Sequence, residues 1–419
     1  MEVALRRFVL VNSANRNFPL DNEPSGTRNF ARLWRKTSLE KNRMIPTFAE
    51  YNARLGEFIR ANAPVSAVET RTDAQEDDFN QLALSLFTLQ YDSVPAYRNF
   101  CDSRHVTPSA VADWKQIPPV PACAFKEFEL TSLPPRQRTH VFHSSGTTRQ
   151  KLSQHFHDAE SLACYEESIL PWFRTHLLSG PTPPLGLVVL TPPSFDAPHS
   201  SLVHMFETIR RSFNWRFSEF VAGVDADGAW VLSPEAAVGT LLDAQDSGLP
   251  VLVLGTAFSF VHLLDHLAAS DLRLRLPADS RVMETGGYKG RSRTVPKGDL
   301  HSLITRRLGV PPSHIVCEYG MSELSSQAYD RKLPNAERGT PNARVFRFPP
   351  WARARIVSPE TGAPVGESET GLIQVFDLAN VRSVMAVQTE DLAVRRGDGF
   401  ELVGRAQLAE LRGCSLMTA

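Results

Sequence analysis

The sequence lacks the short motifs by which several large enzyme classes are identified. It contains no Gly-x-x-x-x-Gly-Lys-Ser/Thr phosphate loop and no Gly-x-Gly-x-x-Gly. His-Glu-x-x-His and Gly-x-Ser-x-Gly are absent as well. These absences argue against a phosphate-loop NTPase, a dinucleotide oxidoreductase, a zinc protease and a serine hydrolase.

Cysteine, net charge and long apolar runs are also scarce. The five cysteines are scattered and form no Cys-x-x-Cys pair, which argues against a disulfide framework and against structural zinc. A formal net charge of -1 gives no reason to expect nucleic acid or an anionic membrane as a partner. No run approaches the roughly 18 apolar residues of a membrane span, so none is predicted and the expected compartment is the cytoplasm.

Residues 1–44 differ in composition from the rest of the chain. They hold nine arginines and lysines against four acids. Their apolar patch at 8–11 is too short for the core of a secretory signal. We predict a mobile basic extension; a targeting segment, or coding sequence upstream of a start at Met44, are the alternatives.

The hydrophobic pattern after residue 44 predicts an α/β fold. Apolar runs at 186–190 and 251–254 are strand-sized, and a helical pattern follows each of them. This alternation predicts a partly parallel sheet in an α/β core over residues 45–343. Short apolar runs then predict a small β-rich subdomain over 344–404, followed by a tail at 405–419. These runs are 354–357, 372–376, 383–387 and 400–403.

Two segments that follow apolar runs carry hydroxyls or glycines. In the first, Ser144, Ser145, Thr147 and Thr148 surround Gly146, with Lys151 three positions on. Such a turn can hold phosphate oxygens through hydroxyls and backbone N–H groups, although a polar surface loop remains the alternative. In the second, the adjacent glycines Gly286 and Gly287 would let a flat ligand lie against bare backbone, with a tight turn as the alternative.

Two further segments place acids beside other polar groups. Residues 318–323 put an aromatic ring, a hydroxyl and a carboxylate at a predicted strand end. These suit a nucleotide, because they offer a stacking face, a donor to a phosphate oxygen and an oxygen ligand for Mg²⁺. Asp391, with Arg405 further on, could bind the hydroxyls of a ribose.

The order and spacing of these segments resemble the adenylate-forming superfamily of acyl-CoA synthetases, luciferases and peptide-synthetase adenylation domains. The closer resemblance is to the bacterial acyl-protein synthetase (LuxE) family, which is related to phenylacetate-CoA ligases. It rests on HSSGTT, VLVLGTAFSF, METGGYKGRSR, EYGMSELSSQAYD and ELVGRAQLAELRGCSL. It runs from about residue 45 to the end of the sequence.

The resemblance implies a role in ATP binding for each matching residue. Ser144, Ser145, Gly146, Thr147, Thr148 and Lys151 would hold the β- and γ-phosphates. Gly286 and Gly287 would lie along the adenine, and Tyr319 against its face, within the segment that also holds Glu318, Gly320 and Met321. Ser322 would meet the α-phosphate, and Glu323 would bind Mg²⁺. Asp391 would take the ribose hydroxyls, helped by Arg405.

The sequence departs from the superfamily at its end. Most members carry a mobile C-terminal domain that supplies a catalytic lysine, whereas only residues 406–419 follow Arg405 here and the last lysine is Lys332. That domain is therefore predicted to be missing or vestigial. Lys151, Lys289 or Arg405 could act in its place; a cation contributed by a partner protein, or slow adenylation, are the alternatives. Cys414 matches the cysteine that accepts the acyl group in the acyl-protein synthetases; a small buried residue is the alternative.

These observations predict an enzyme that activates a carboxylic acid, fatty or related, as an acyl-AMP and then transfers the acyl group to a thiol, with Cys414 as the candidate acceptor. The first alternative is a ligase that passes the acyl group to CoA, a carrier protein or an amine. The second is an inactive nucleotide-binding protein. The expected cofactors are ATP and Mg²⁺, and a reductase or acyl-carrier protein is the expected partner.

Overall fold

The computed structural model describes residues 47–63, 71–144, 151–179, 184–287, 293–332 and 344–405. Several predictions fall outside the described residues. They concern the extension at 1–44, the tail with Cys414, and the phosphate-loop residues Ser145, Gly146, Thr147 and Thr148.

Nine α-helices lie within the described ranges. They are α1 Phe48–Ala61, α2 Asp73–Ser93, α3 Pro95–Asp102, α4 Ala124–Glu127, α5 Ala159–Leu177, α6 Ser201–Ser212, α7 Pro234–Ser247, α8 Ala257–Ala269 and α9 Lys297–Leu308. Short 3₁₀ helices occupy Pro108–Ala110, Trp114–Gln116, Pro135–Gln137 and Pro312–His314. Several helices are preceded by an N-cap residue whose side chain accepts a hydrogen bond from the first turn. Thr72 starts α2 and Asp158 starts α5, each in a reciprocal capping box.

The strands are numbered β1 to β16. They are β1 Val120–Pro121, β2 His140–His143, β3 Gln154–His157, β4 Gly186–Val189, β5 Ser218–Phe220, β6 Ala222–Val224, β7 Trp230–Leu232, β8 Val251–Thr256, β9 Arg281–Thr285, β10 Ile315–Tyr319, β11 Ala328–Lys332, β12 Arg344–Arg347, β13 Ala352–Val357, β14 Thr370–Asp377, β15 Ala386–Arg396 and β16 Gly399–Arg405. Twelve of them form one sheet in the order β13-β14-β15-β16-β12-β11-β10-β9-β8-β4-β5, with β1 beside β15. The pairs β2–β3 and β6–β7 are separate hairpins.

One half of the large sheet is parallel, which confirms the partly parallel sheet predicted from the alternation of strands and helices. Strands β5, β4, β8, β9 and β10 pair in parallel. Alternate residues of β8 enter two different cores: Leu252 packs in one with α5 and α6, and Val253 in the other with α7, α8 and α9. Burial on both faces explains why this strand reads as a continuous apolar run.

The other half is antiparallel and includes the predicted β-rich region. Strand β10 pairs with β11, β11 with β12, and β12 with β16, so the sheet continues without a break. The apolar runs predicted at 354–357, 372–376 and 400–403 lie in β13, β14 and β16. The division into a core and a subdomain between residues 343 and 344 stays a prediction, and the sheet extends on both sides of it.

The strand predicted at 383–387 is wrong in its position. Strand β15 begins at Ala386, and the apolar residues before it form a buried loop. The side chain of Gln90 on α2 serves this loop: its Nε2 donates to Asn380 O at 2.7 Å, and its Oε1 accepts from Met385 N at 2.9 Å. Since the amide satisfies these backbone groups, the loop can be buried without joining a strand ladder.

Candidate active site

The carboxyl ends of the neighbouring parallel strands β9 and β10 bring two of the predicted segments together. Thr285 pairs with Glu318 across these strands, and Thr285 Oγ1 donates to Glu318 Oε2. Burial raises the pKa of Glu318 to about 7. Two glycines follow directly: Gly286 has a φ of 70°, and a Cβ on Gly320 would lie 2.3 Å from Glu318 Oε1. Larger side chains are therefore disfavoured at both positions.

The opposite face of the same strands holds a buried charge cluster. Glu284 lies across from Cys317. Its Oε1 is 3.4 Å from Lys297 Nζ and 3.1 Å from His301 Nε2 on α9. Burial alone would raise the pKa of Glu284, but these cationic neighbours outweigh it and lower the pKa to about 2. Cys317 is 1% exposed and contacts Lys297 through its Sγ, so this thiol is a packed core residue.

Tyr319 and Asp391 are brought into direct contact. The Tyr319 hydroxyl donates to Asp391 Oδ2 at 2.8 Å. Its ring packs edge-on against Phe346 and Phe400, with centroids 6.1 and 5.5 Å away. Arg405 Nε lies 3.4 Å from Asp391 Oδ1, and its side chain is 77% exposed. Strands β10, β15 and β16 thus place a tyrosine, a carboxylate and an arginine side by side.

Ser322 and Glu323 lie in residues 320–327, which we call the site loop. Ser322 Oγ donates to Glu323 Oε2 at 3.1 Å, and both residues are buried. Two side chains from β3 and the residue before it approach Ser322. His155 Nδ1 lies 2.9 Å from Ser322 O, and Ser153 Oγ lies 3.5 Å from Ser322 Oγ. These contacts bind the site loop to the β2–β3 hairpin, which carries the predicted phosphate loop.

The two ends of the phosphate loop are described. Ser153 N donates to Ser144 Oγ at 3.0 Å, and Ser144 N donates to Ser153 O at 3.3 Å, which closes the base of the β2–β3 hairpin. Lys151 Nζ lies 3.3 Å from Glu127 Oε2, and both side chains are more than half exposed. The contact of Lys151 is thus with a surface acid. Its catalytic role, like that of Arg405, stays a prediction.

Asp377 anchors the far end of the site loop. This fully buried carboxylate accepts from Ser325 N at 2.9 Å, from Ser326 N at 2.7 Å and from Ser326 Oγ at 2.7 Å. Asn380 Nδ2 donates to Glu323 O at 2.9 Å. Sequence reasoning missed both residues, together with His155. For Asp377 a signal exists: it is the single acid that ends the apolar run at 372–376.

Within the described ranges, no group of three or more histidines, cysteines and acids is arranged to hold a metal ion. Glu323 is the predicted Mg²⁺ ligand, and a single carboxylate is compatible with the way Mg²⁺ is bound beside substrate phosphates. Among the same residues, no helix combines the length and the apolar character needed to cross a bilayer.

Comparison with known sequences decides the family. Residues 55–419 match the family model described as "Acyl-protein synthetase, LuxE". The chain belongs to the LuxE family of acyl-protein synthetases. It is an acyl-adenylate-forming ligase, as the resemblance implied.

Two relatives are similar over most of their length. The long-chain-fatty-acid–luciferin-component ligase of Aliivibrio fischeri is 21% identical over 366 residues, which cover 83% of this chain and 89% of that protein. The ligase of the same name from Vibrio harveyi is 22% identical over 354 residues, covering 80% and 86%.

A solved structure shows the same fold. The open conformation of 2-hydroxyisobutyryl-CoA ligase, in complex with 2-HIB-AMP and CoA, superposes with a TM-score of 0.57 at 12% identity. The match covers 83% of this chain and 82% of that one. The predicted fold class, that of an adenylate-forming enzyme, is thereby confirmed.

Proposed function

We propose that this chain uses ATP and Mg²⁺ to activate a long-chain fatty acid as an acyl-AMP, and that its own Cys414 then accepts the acyl group. The observation that carries the proposal is the convergence of three distant segments. Tyr319 donates a hydrogen bond to Asp391, and Ser322 contacts Ser153 at the base of the 144–153 loop. A nucleotide needs these groups together, since its base, ribose and phosphates are linked in one molecule.

Each part of ATP has a candidate partner in this arrangement. Gly286 and Gly287 follow β9, and a Cβ on either would meet no atom of the described residues within 4 Å. We assign these glycines and Tyr319 to the adenine. Asp391 presents a carboxylate to the two ribose hydroxyls, with Arg405 beside it. Glu318, Gly320 and Met321 complete the wall at the end of β10.

We assign the phosphates of ATP to the site loop and the 144–153 loop, which are in contact at Ser322. We assign its hydroxyl to the α-phosphate, and Ser144 through Thr148 with Lys151 to the β- and γ-phosphates. Glu323 would hold Mg²⁺, which supplies positive charge against the phosphate oxygens when it is bound. Because Ser322 Oγ already donates to Glu323, a phosphate oxygen placed there would compete for the same proton.

The chemistry requires alignment more than covalent participation by the protein. A carboxylate oxygen of the acid attacks the α-phosphorus, the bond to the β-phosphate oxygen breaks, and pyrophosphate leaves. The resulting mixed anhydride is a better electrophile than the carboxylate. A thiolate then attacks its carbonyl carbon, AMP leaves, and a thioester remains.

The identity of the acid rests on the names of the two relatives, both of which specify a long-chain fatty acid. Cys414 is proposed as the acceptor because the resemblance matches it to the acyl-accepting cysteine of the acyl-protein synthetases, and it lies within the residues 55–419 that the family model covers. CoA, a carrier protein or an amine are the other acceptors that the experiments below distinguish.

The adenylation half is tested by acid-dependent exchange between ATP and labelled pyrophosphate, with fatty acids of different length, an aryl acid and an amino acid as substrates. Glu323→Gln should lower the exchange by about 100-fold or more, because the amide removes the charge that Mg²⁺ needs. Glu235→Gln, which changes a 77% exposed carboxylate in the same way, should exchange normally. Equal rates for Glu323→Gln and the native chain would refute the assignment of the site loop.

The transfer half is tested with labelled acid, ATP and Mg²⁺, followed by denaturation and hydroxylamine. The native chain should carry label that hydroxylamine releases, and Cys414→Ser should carry none while it still forms acyl-AMP, since a serine hydroxyl is a much weaker nucleophile. Equal labelling of both chains would eliminate Cys414 as the acceptor. Absence of label on both, with acyl-AMP still formed, would point to an external thiol or amine.

A further inference from the structure

His155 is one of the side chains that bind the backbone of the site loop, and it does so at Ser322, in the middle of the proposed active site. It lies on β3, two positions after Ser153, and is 2% exposed. Its Nδ1 is 2.9 Å from Ser322 O. A carbonyl oxygen can only accept, so Nδ1 carries the hydrogen and donates it.

The surroundings of His155 fix the ring in this orientation. Its centroid lies 4.3 Å from that of His157 and 6.3 Å from that of Phe125. Burial lowers the pKa of His155 to about 4, so the ring is neutral at pH 7. A neutral imidazole with a carbonyl at Nδ1 is held in one tautomer.

Two successive carbonyls of the site loop are thus bound by side chains from different parts of the fold. His155 binds Ser322 O, and Asn380 Nδ2 binds Glu323 O at 2.9 Å. Together they fix the peptide planes on both sides of Glu323. The direction in which the Ser322 hydroxyl and the Glu323 carboxylate leave the backbone follows from those planes.

We propose that His155 is a positioning residue for adenylation, whose Nδ1–H holds the Ser322 carbonyl so that Ser322 and Glu323 are aimed at the phosphates of ATP. This inference rests on the proposed function. His155 acts in this proposal through the backbone of Ser322 alone, and no proton transfer is assigned to it.

The test compares three substitutions. His155→Leu removes the donor. His155→Asn keeps one, because the amide nitrogen of asparagine can occupy the place of Nδ1. His176→Leu is the matched control: His176 Nδ1 lies 2.9 Å from Trp172 O within α5, and burial lowers its pKa to about 4 as well, but its carbonyl partner is outside the site loop. Each chain is measured for acid-dependent pyrophosphate exchange, for KM of ATP and for its melting temperature.

We expect His155→Leu to lower kcat roughly 10- to 100-fold, because small displacements of aligned groups cost rate steeply. His155→Asn should recover most of this loss, and His176→Leu should stay within about threefold of the native kcat even where it melts lower. The proposal is overturned if both leucine variants lose kcat in proportion to their melting temperatures, or if asparagine does no better than leucine.

Two further measurements keep the result decisive. Should His155→Leu not fold, His155→Gln replaces it, because its amide reaches the position of Nε2 instead of Nδ1; equal kcat for His155→Gln and His155→Asn would then refute the proposal. Failure of the proposed function is seen separately, as absence of exchange by the native chain with every acid. The ¹⁵N spectrum of histidine-labelled protein still tests the contact in that case: a neutral ring protonated at Nδ1, lost in His155→Gln, supports it, and an Nε2–H tautomer refutes it.

Discussion

Two buried glutamates on neighbouring strands should respond in opposite directions to the same substitution. Glu284 and Glu318 are 1% and 5% exposed and point to opposite faces of the sheet, since Glu284 pairs with Cys317 while Glu318 pairs with Thr285. We predict that Glu318→Gln stabilises the protein above pH 7 and that Glu284→Gln destabilises it there. Both changes keep the volume and remove the charge.

The magnitudes follow from the two pKa values. Burial raises the pKa of Glu318 from an ordinary 4.5 to about 7, so the folded chain holds a proton that the unfolded chain loses, and stability falls as pH rises from about 4.5 to about 7. One pKa unit corresponds to about 1.4 kcal/mol, so ionisation of Glu318 in the folded chain costs about 3 kcal/mol of stability above pH 7. Glutamine removes this penalty and still accepts from Thr285.

For Glu284 the sign is reversed. Although burial raises its pKa, Lys297 and His301 lower it to about 2, so its contribution is complete above pH 4.5 and is lost as pH falls toward 2. Glu284→Gln should therefore cost about 3 kcal/mol at pH 8, because it removes the buried carboxylate that Lys297 and His301 contact.

The assay is urea unfolding at pH 5 and pH 8.5. Glu318→Gln should exceed the native chain by less than about 1 kcal/mol at pH 5 and by about 3 kcal/mol at pH 8.5, while Glu284→Gln should fall below it at both. A gain for Glu318→Gln that is the same at both pH values would refute the link to ionisation. A loss at pH 8.5 would mean that the carboxylate of Glu318 is stabilised in the folded protein, contrary to its surroundings.

Two further predictions concern the ends of the proposed nucleotide site and the N-terminal extension. Tyr319→Phe removes the 2.8 Å hydrogen bond to Asp391 and should raise the KM for ATP by roughly 5- to 10-fold with little effect on unfolding. An unchanged KM in exchange kinetics would contradict the assignment of Asp391 to the ribose. Deleting residues 1–43 should leave acid-dependent exchange largely unchanged, since no nucleotide motif lies there; a folded deletion variant without activity would show that the extension is needed by the site.

The site residues that we propose from the sequence are those that can be recognised by their residue type. Tyr319, Ser322, Glu323 and Asp391 stand in short polar segments after apolar runs, and the structure brings Tyr319 and Asp391 within hydrogen-bond distance. The parallel strands were predictable for a related reason, since burial on both faces leaves a continuous apolar run such as β8.

Two of the residues that hold the site loop could not be predicted in this way. His155 and Asn380 bind carbonyl oxygens, and a carbonyl is present at every position, so nothing in the sequence of the loop specifies its partner. Gln90 is a similar case: it serves the backbone of a loop nearly 300 residues away. Such contacts depend on tertiary placement alone, and they also explain why the strand expected at 383–387 begins later.

The antiparallel half of the sheet takes part in the site as much as the parallel half does. Asp391 and Arg405 come from β15 and β16, and Asp377, at the end of β14, binds both Ser325 and Ser326 of the site loop. Asn380 adds a contact to Glu323 O from the loop that follows. Because Asp377 is fully buried and accepts from four donors, three in the site loop and Ala379 N, its loss would leave these donors without a partner in an apolar interior. Residues 344–405 are therefore part of the framework that shapes the site loop, and the geometry of Ser322 and Glu323 depends on both halves of one continuous sheet.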